Sequence, residues 1–381
     1  MNERIKKIAI LTNGGDAPGL NAVIRAILKT ASQYNIEVYG YIDGYKGFLE
    51  NNYVKLDLNT NASGLLTKGG TIIGSSNSTN LFNLKKQNKD GSIEYVDMSD
   101  FCVQQFKDQG FDCLFTLGGD GTQKSARDFS LKGINIIGIP KTIDNDVALT
   151  DVTFGFNTAV AVATEALDRL HSTGEAHHRI MVLEVMGRHA GWIALASGIA
   201  GGADVILIPE IPYDIQDVAR KIIERKENGK SFSIVVVAEG ATPINEEQTV
   251  KQTLDEKGLD DKKLGGIGEQ VAHQLEDLTG MSARTTVLGY VQRGGSPVPY
   301  DRILSSMYGC KAVDLAVNGI FNVLVTYSKG RMGHVPIEDV VGNNKVIGAP
   351  SKNNTVSNLK KVNLDNDLIK TARRLNIEFG D

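Results

Sequence analysis

The sequence has few cysteines and no long apolar run. Its only cysteines are Cys102, Cys113 and Cys310, and their spacing matches no metal-binding or redox motif. Isolated thiols are typical of proteins kept in a reducing compartment. No apolar stretch approaches the ~20 residues that cross a bilayer, and residues 1–7 lack the apolar core of a signal peptide. We therefore expect a cytoplasmic protein that has no membrane partner.

The sequence also lacks an excess of basic charge. Its 41 Lys and Arg against 45 Asp and Glu give a net charge of −4, so nothing attracts nucleic acid overall and we expect none as a partner. An anionic substrate would need a locally basic pocket. With 41% hydrophobic and 23% charged residues, the composition is typical of a globular protein with a substantial core.

Glycine, by contrast, is abundant, and the 41 glycines cluster where short apolar runs end. These runs alternate with amphipathic stretches that predict helices, such as 20–33 and 215–225. The alternation predicts an α/β fold of two similar domains with mainly parallel sheets and helices on both faces. Two polar segments look like insertions, a surface excursion at 75–97 and a solvated helix or loop at 245–265. The predicted strands cover residues 8–11, 111–117, 134–139, 179–185 and 231–238.

Two glycine-rich strings follow predicted strands, where doubly wound sheets bind their ligands. Residues 13–16 (Asn-Gly-Gly-Asp) could cradle phosphate on backbone amides, although the motif alone is weak and a tight turn is the favoured explanation. Residues 118–122 (Gly-Gly-Asp-Gly-Thr) are more informative, because three glycines allow close approach of phosphate. Within this string Asp120 can bind Mg²⁺ and Thr122 is expected to cap the next helix.

Residues 140–146 (Pro-Lys-Thr-Ile-Asp-Asn-Asp) follow a third predicted strand. In an extended segment alternate side chains point the same way, which would place Thr142, Asp144 and Asp146 on one face. One carboxylate could accept a hydroxyl proton while the other helps to organise Mg²⁺. The alternative is an exposed acidic turn.

Arginines that could bind phosphate follow in the second half of the chain. Arg188 and Arg293 each adjoin a glycine at a predicted strand end, and the guanidinium group suits phosphate geometrically. Glu239, after another strand, could accept hydrogen bonds from a sugar. Arg179 and Arg284 are further candidates, although single arginines are usually solvated surface residues.

Seven strings, in order and spacing, resemble the phosphofructokinase family, and the resemblance extends from residue 5 to about 325. It implies a 6-phosphofructokinase of the ATP-dependent or mixed-substrate subgroup. Such an enzyme transfers a phosphoryl group from ATP, with Mg²⁺, to the 1-hydroxyl of fructose 6-phosphate, which gives fructose 1,6-bisphosphate in glycolysis. The strings cover residues 11–19, 43–45, 69–74, 118–122, 142–146, 185–188 and 292–297.

The resemblance also implies two Rossmann-like domains and a role for individual residues. Residues 1–155 plus about 292–342 would bind nucleotide, and 156–291 plus about 343–381 would bind fructose 6-phosphate. Asp144 would be the catalytic base, and Asp120 would hold Mg²⁺. The donor would contact Gly15, Tyr45, Gly119, Asp120, Gly121 and Thr122. The acceptor would contact Thr142, Ile143, Asp144, Met186, Gly187, Arg188, Glu239, Tyr290 and Arg293, together with Arg179 and Arg284 from a neighbouring subunit of a homodimer or homotetramer with shared active sites.

Departures from the family pattern leave alternatives open. Gly121 accompanies ATP as donor, whereas Lys141 accompanies pyrophosphate or a mixed subgroup, so a pyrophosphate-dependent phosphotransferase is the main alternative. Asn77 aligns with a family arginine, and Tyr290 replaces a substrate-binding histidine. An NAD or lipid kinase, which shares the string at 118–122, and a non-catalytic regulatory paralogue are further alternatives.

Overall fold

The computed structural model describes residues 5–76, 79–88, 91–244, 250–253, 262–341 and 360–381. Asn77 therefore lies outside the described residues. The strands are β1 (Lys7–Thr12), β2 (Glu37–Tyr41), β3 (Tyr53–Leu56), β4 (Leu84–Gln87), β5 (Ile93–Val96), β6 (Cys113–Gly118), β7 (Ile136–Pro140), β8 (Ile180–Val185), β9 (Val205–Leu207), β10 (Ser233–Ala238), β11 (Val250–Thr253), β12 (Lys262–Leu264), β13 (Ala283–Val287), β14 (Val323–Ser328) and β15 (Arg331–Pro336). The helices are α1 (Leu20–Gln33), α2 (Tyr45–Glu50), α3 (Leu58–Asn61), α4 (Ser99–Asp108), α5 (Asp120–Leu131), α6 (Phe156–His177), α7 (Trp192–Ala200), α8 (Ile215–Glu227), α9 (Ile267–Thr279), α10 (Pro299–Val317), α11 (Ile337–Val341) and α12 (Asp367–Arg374).

The chain divides into two compact units. Unit 1 comprises Met1–Thr142, Val147–Gly155 and Arg293–Leu359, and unit 2 comprises Ile143–Asp146, Phe156–Gln292 and Lys360–Asp381. The four-residue segment 143–146, which carries the predicted base, thus belongs to unit 2 although its neighbours on both sides belong to unit 1.

Unit 1 is built on a seven-stranded sheet of order β15-β14-β7-β6-β1-β2-β3. The five inner strands are parallel, whereas the edge strands β15 and β3 pair antiparallel. Strand β1 shows why both faces are covered. Ile8 and Ile10 belong to a core cluster with α1 and α10, while Ala9 and Leu11 belong to another with α4 and α5. Alternate residues on each strand are therefore buried on opposite faces, as expected of a sheet between helix layers.

Unit 2 has a four-stranded, entirely parallel sheet of order β13-β8-β10-β9. Val205 and Leu207 of β9 pack with α8 and α9. Ile206 lies on the other face, because it lies beside Gly198 of α7. The C-terminal residues extend this sheet: Ile206 N donates to Glu378 O (2.9 Å) and Glu378 N donates to Asp204 O (3.0 Å).

The structure confirms the α/β fold with mainly parallel sheets. It also shows which elements the described parts of the two polar segments contain. The first contains the antiparallel hairpin β4–β5, and the second contains the antiparallel pair β11–β12 instead of a helix in its described part. Among the described residues, no helix has the length and apolar character needed to cross a membrane.

Candidate active site

The loop that follows β1 is fixed by backbone hydrogen bonds at the carboxyl edge of the unit 1 sheet. Asn13 N donates to Leu117 O (3.0 Å), and Gly14 N donates to Ser76 O (3.0 Å). Gly14 has φ 84°, a conformation that glycine adopts without steric cost. The loop 13–15 is therefore held between the end of β6 and the segment that contains Ser76.

The string at 118–122 joins β6 to α5. Helix α5 begins at Asp120 and its cap residue is Gly119, so the prediction that Thr122 caps this helix was wrong. Because the extended Gly119 already starts the helix, Thr122 falls in its first turn. There it donates a long hydrogen bond through Oγ1 to Asn13 O (3.4 Å). A Cβ at Gly118 would lie 2.3 Å from that hydroxyl oxygen, which explains this glycine by packing.

Gly121 has no such explanation within the protein. A Cβ at this position would meet nothing within 4 Å, and its φ is not positive. Because neither packing nor backbone conformation requires glycine, the residue suits close approach by a ligand that the chain itself does not supply. The free amide groups in the first turn of a helix favour an anion, so the N-terminus of α5 is a suitable place for a phosphate group.

Asp120 fits the Mg²⁺ that the family resemblance implies. Its side chain is 23% exposed, in the first turn of α5, and its Oδ2 lies 2.7 Å from Lys124 Nζ. No cluster of three acidic, histidine or cysteine side chains that could hold a metal occurs among the described residues. Mg²⁺ typically uses one or two carboxylates plus substrate phosphates, so the half-buried carboxylate of Asp120, in the first turn of a helix that could bind phosphate, is a suitable donor.

Two cations flank the loop that follows β1. The buried Lys141 donates through Nζ to Gly15 O, and Arg293 donates through Nη1 to Asp16 O (3.1 Å). A Cβ at Gly15 would lie only 2.8 Å from Arg293 Nη1, so glycine lets the guanidinium group lie against the backbone. Arg293, which the family resemblance implies for the sugar phosphate, therefore lies beside the donor loop within unit 1.

The ring of Tyr45 packs inside unit 1. The side chain is 2% exposed and packs with Phe129, with the ring centroids 5.9 Å apart. Its hydroxyl donates to Thr122 O (3.0 Å), and burial raises the pKa of this hydroxyl. Tyr45 thus supports the glycine-rich string from behind, and its contact with the nucleotide stays a prediction.

The segment that contains the predicted base is not extended. Asn145 has φ 53°, a left-handed conformation that asparagine tolerates better than most residues. Burial nevertheless alternates over residues 143–146, although Thr142 is buried as well. Ile143 and Asn145 are buried, whereas Asp144 and Asp146 are half-buried, and the Oδ1 atom of Asp144 is itself buried.

In unit 2 the candidate acceptor residues lie at the carboxyl ends of two neighbouring parallel strands. Met186, Gly187 and Arg188 follow β8, and Glu239 follows β10. Gly240 N donates to Gly187 O (3.1 Å), and a Cβ at Gly240 would lie 2.0 Å from Arg188 O. This close approach brings the two loops, and with them the half-buried Arg188 and Glu239, to one edge of the sheet.

Arg179 and Arg284 lie at the opposite edge of the same sheet. Arg179 directly precedes β8, and Arg284 is paired in register with Met181 near the start of β8. At ~3.3 Å per residue, the length of β8 separates them from Arg188 by roughly 20 Å. Arg284 is 54% exposed and Tyr290 is 75% exposed. A single chain therefore does not bring Arg179 and Arg284 together with Arg188, whereas Tyr290 follows β13 at the same sheet edge as Arg188.

Sequence reasoning missed Gln123, which ties the candidate donor site together. It is fully buried, and its Nε2 donates to Gly118 O (3.1 Å) and Ile139 O (3.2 Å), the ends of β6 and β7. Ile139 immediately precedes the 140–146 string, so Gln123 fixes the spacing of two candidate site segments. A polar residue on the same helix face as Ala126 and Phe129 is the sequence signal that could have revealed it.

Comparisons with known proteins point to one family. A family model described as Phosphofructokinase matches residues 7–316. A Clostridium perfringens protein named ATP-dependent 6-phosphofructokinase 2 is 52% identical over 383 residues, which cover 100% of both chains. A Chloroflexus aurantiacus protein named ATP-dependent 6-phosphofructokinase is 45% identical over 381 residues, which cover 100% of this chain and 99% of that protein.

Solved structures show the same fold. Phosphofructokinase from Saccharomyces cerevisiae matches 88% of this chain with a TM-score of 0.73 and 30% identity, and this chain spans 45% of the length of that longer chain. A pyrophosphate-dependent phosphofructokinase from Marinobacter aquaeolei matches 98% of this chain and 92% of its own, with a TM-score of 0.77 but 21% identity, which shows the fold alone. From the family model and the full-length relatives together, it follows that this protein belongs to the phosphofructokinase family.

Proposed function

We propose that this protein is an ATP-dependent 6-phosphofructokinase, which transfers a phosphoryl group to the 1-hydroxyl of fructose 6-phosphate and forms fructose 1,6-bisphosphate. Gly121 is the observation that carries the choice of donor. The free protein has room for a side chain at this position, so glycine is explained by a nucleotide phosphate that approaches the first turn of α5. The relatives at 52% and 45% identity bear the ATP-dependent name.

Unit 1 supplies the donor-binding residues. The amides of Gly119 to Thr122 bind phosphate oxygens at the start of α5, and Asp120 would hold Mg²⁺. When bound, Mg²⁺ neutralises charge on the donor phosphates. Lys141 and Arg293 add positive charge beside Gly15, so the charge that develops on the transferred group meets preorganised cations.

Unit 2 supplies the acceptor-binding residues and the base. Arg188 and Glu239 hold the sugar phosphate, together with the backbone at Met186 and Gly187. Asp144 accepts the proton of the 1-hydroxyl as the oxygen attacks the γ-phosphorus, and ADP leaves in line. Most of the rate enhancement comes from positioning and charge stabilisation. An Asp144→Ala variant is expected to bind both substrates and to lose kcat by about three orders of magnitude.

The second candidate is pyrophosphate as donor, which the buried cation Lys141 favours because it lies beside Gly15. Initial rates of the purified protein with fructose 6-phosphate and Mg²⁺, measured separately with ATP and with pyrophosphate, distinguish the two. Faster turnover with ATP supports the proposal. Turnover with pyrophosphate but not with ATP would show instead that the protein is a pyrophosphate-dependent phosphotransferase. Turnover with neither donor, alongside tight binding of sugar phosphate, would favour a regulatory paralogue.

We also propose a homodimer or homotetramer with shared active sites. Arg179 and Arg284 lie at the sheet edge opposite to Arg188 within one chain, and the side chains of Val287, Tyr290 and Val291, which follow Arg284 in the chain, are exposed and apolar or aromatic. If Arg284 serves a neighbouring site, then mixing inactive Asp144→Ala and Arg284→Ala subunits under exchange should restore activity. Mixtures that stay inactive although subunits exchange would contradict this sharing.

We further propose that the enzyme works in the cytoplasm. All three cysteines are free thiols, and burial raises the pKa of Cys102 to about 12, which keeps that thiol protonated and unreactive. Free thiols suit a reducing compartment. Cell fractionation that finds the enzyme outside the cytoplasm would contradict this location.

A further inference from the structure

A short C-terminal segment, Lys360–Val362, lies against the loop that carries Asp144. Lys360 N donates to Asp146 O (2.9 Å). The carbonyl of the same residue accepts a hydrogen bond from Trp192 Nε1 (2.8 Å), and the Lys360 ammonium group lies 5.2 Å from the centroid of the Trp192 ring. We call Lys360–Val362 the strap, since it is bonded on one side to the catalytic loop and on the other to α7.

Glu210 anchors the other end of the strap. Its Oε1 accepts hydrogen bonds from Val362 N (2.9 Å) and Gly191 N (3.0 Å). Gly191 is the cap residue of α7 and ends the loop that begins at Gly187. One carboxylate therefore joins the strap to the loop of Arg188, and hydrogen bonds from N–H groups to a carboxylate are stronger than neutral ones.

Both loops need such external restraint. Asn145 has φ 53° and Gly187 has φ 138°, so neither loop continues a regular strand or helix. A left-handed residue persists where its surroundings hold it. The strap supplies this restraint in unit 2. A continuous path of hydrogen bonds and backbone runs from Gly191 through Glu210 and Val362 to Lys360 and Asp146.

We propose that Trp192 and Glu210 are positioning residues for phosphoryl transfer, acting through the strap to fix the loop of Asp144. This inference rests on the proposed role of Asp144 as the base. Neither side chain touches substrate in this account. Each holds backbone in place, and this backbone positions the carboxylate of Asp144 against the 1-hydroxyl. The position matters because small displacements of a reacting group lower the rate by large factors.

Kinetic coupling to Asp144 tests the proposal. Trp192→Phe removes the indole N–H but keeps an aromatic ring, and Glu210→Gln removes one of the two acceptor oxygens. Each is expected to lower kcat about 10-fold at saturating substrates and to leave the KM for ATP unchanged. In an Asp144→Asn background the same changes should have no further effect on kcat, because the group that they position is already inactive.

Control variants and a second readout keep the test decisive. Lys370→Ala in α12 and Glu227→Gln at the end of α8 change exposed side chains outside the strap and should leave kcat unchanged. Hydrogen exchange reports on the strap independently of the chemistry: Glu210→Gln should speed exchange of amides 143–147 and leave those of β6 unchanged.

Three outcomes would overturn the proposal. In the first, the variants leave kcat unchanged. In the second, they lower the residual rate of Asp144→Asn by the same factor as that of the wild type, which indicates a general structural role. In the third, exchange at 143–147 does not change. Near-normal turnover of Asp144→Asn by itself would instead refute the proposed base, and exchange would then decide separately whether the strap holds the loop.

Discussion

Replacement of Gly121 by aspartate tests two things separately: whether the fold needs glycine at this position, and whether this residue lies close to the phosphates of the bound nucleotide. Gly121 is the second residue of α5, and a side chain there would meet nothing within 4 Å. A carboxylate in the first turn of a helix is stabilising by about 0.3–1 kcal/mol. Gly121→Asp is therefore expected to melt at the same temperature as the wild type or slightly higher.

The same carboxylate should repel a nucleotide. At a separation of ~5 Å and an effective dielectric constant of ~20, two unit charges interact by about 3 kcal/mol. Because Gly121 is exposed, solvent reduces this to about 1.5–3 kcal/mol, which corresponds to a loss of roughly 10- to 100-fold in ATP affinity. The KM for fructose 6-phosphate should not change, since its proposed ligands lie elsewhere.

Steady-state rates at varied ATP, titration calorimetry with ATP and scanning calorimetry measure these quantities. Gly121→Asn is the matched control, because asparagine has nearly the shape of aspartate without its charge. It should lower the affinity for ATP less than aspartate does. An unchanged KM for ATP in Gly121→Asp would refute the assignment of this residue to the nucleotide phosphates. A large fall in the melting temperature would refute the claim that the fold does not need glycine there.

Three further variants test how the donor site is supported. Gly47→Ala should lower the free energy of unfolding by more than about 3 kcal/mol, because its Cβ would overlap the carbonyl oxygen of Ile42; normal stability in urea would contradict this. Tyr45→Phe should cost about 1 kcal/mol and raise the KM for ATP, since the hydroxyl bonded to Thr122 O is lost; an unchanged KM would argue against support of the string. Gln123→Leu should cost about 1–3 kcal/mol in urea unfolding, and a stabilised variant would show that its bonds to the strand ends are dispensable.

Much of the fold could be predicted because its signals are local. The apolar residues of 20–33 fall on one face, and the structure has α1 over Leu20–Gln33. Strand β8 lies within one residue of its predicted start, while β6 begins at Cys113 instead of residue 111. Helix ends are harder, since Thr122 has the chemistry of a cap but Gly119 takes that position. The antiparallel pair β11–β12 in the second polar segment was missed because both strands are short and carry little apolar periodicity.

The features that the sequence did not predict depend on long-range contacts. The residues next to Asn145 in the sequence do not predict its left-handed backbone conformation, since the string looks extended. The bond from Lys360 to Asp146 joins residues that are far apart in the chain, and the C-terminal residues match no motif. The burial of Tyr45 depends on Phe48 and Phe129, in a core that forms only with the tertiary structure.

The most direct test of the central claim is a phosphorus NMR measurement on the product that the purified protein forms from ATP, Mg²⁺ and fructose 6-phosphate. The account predicts ADP and one new phosphate ester on the first carbon of the sugar, that is, fructose 1,6-bisphosphate. Phosphorylation at another position, or ADP accompanied only by free phosphate, would contradict it.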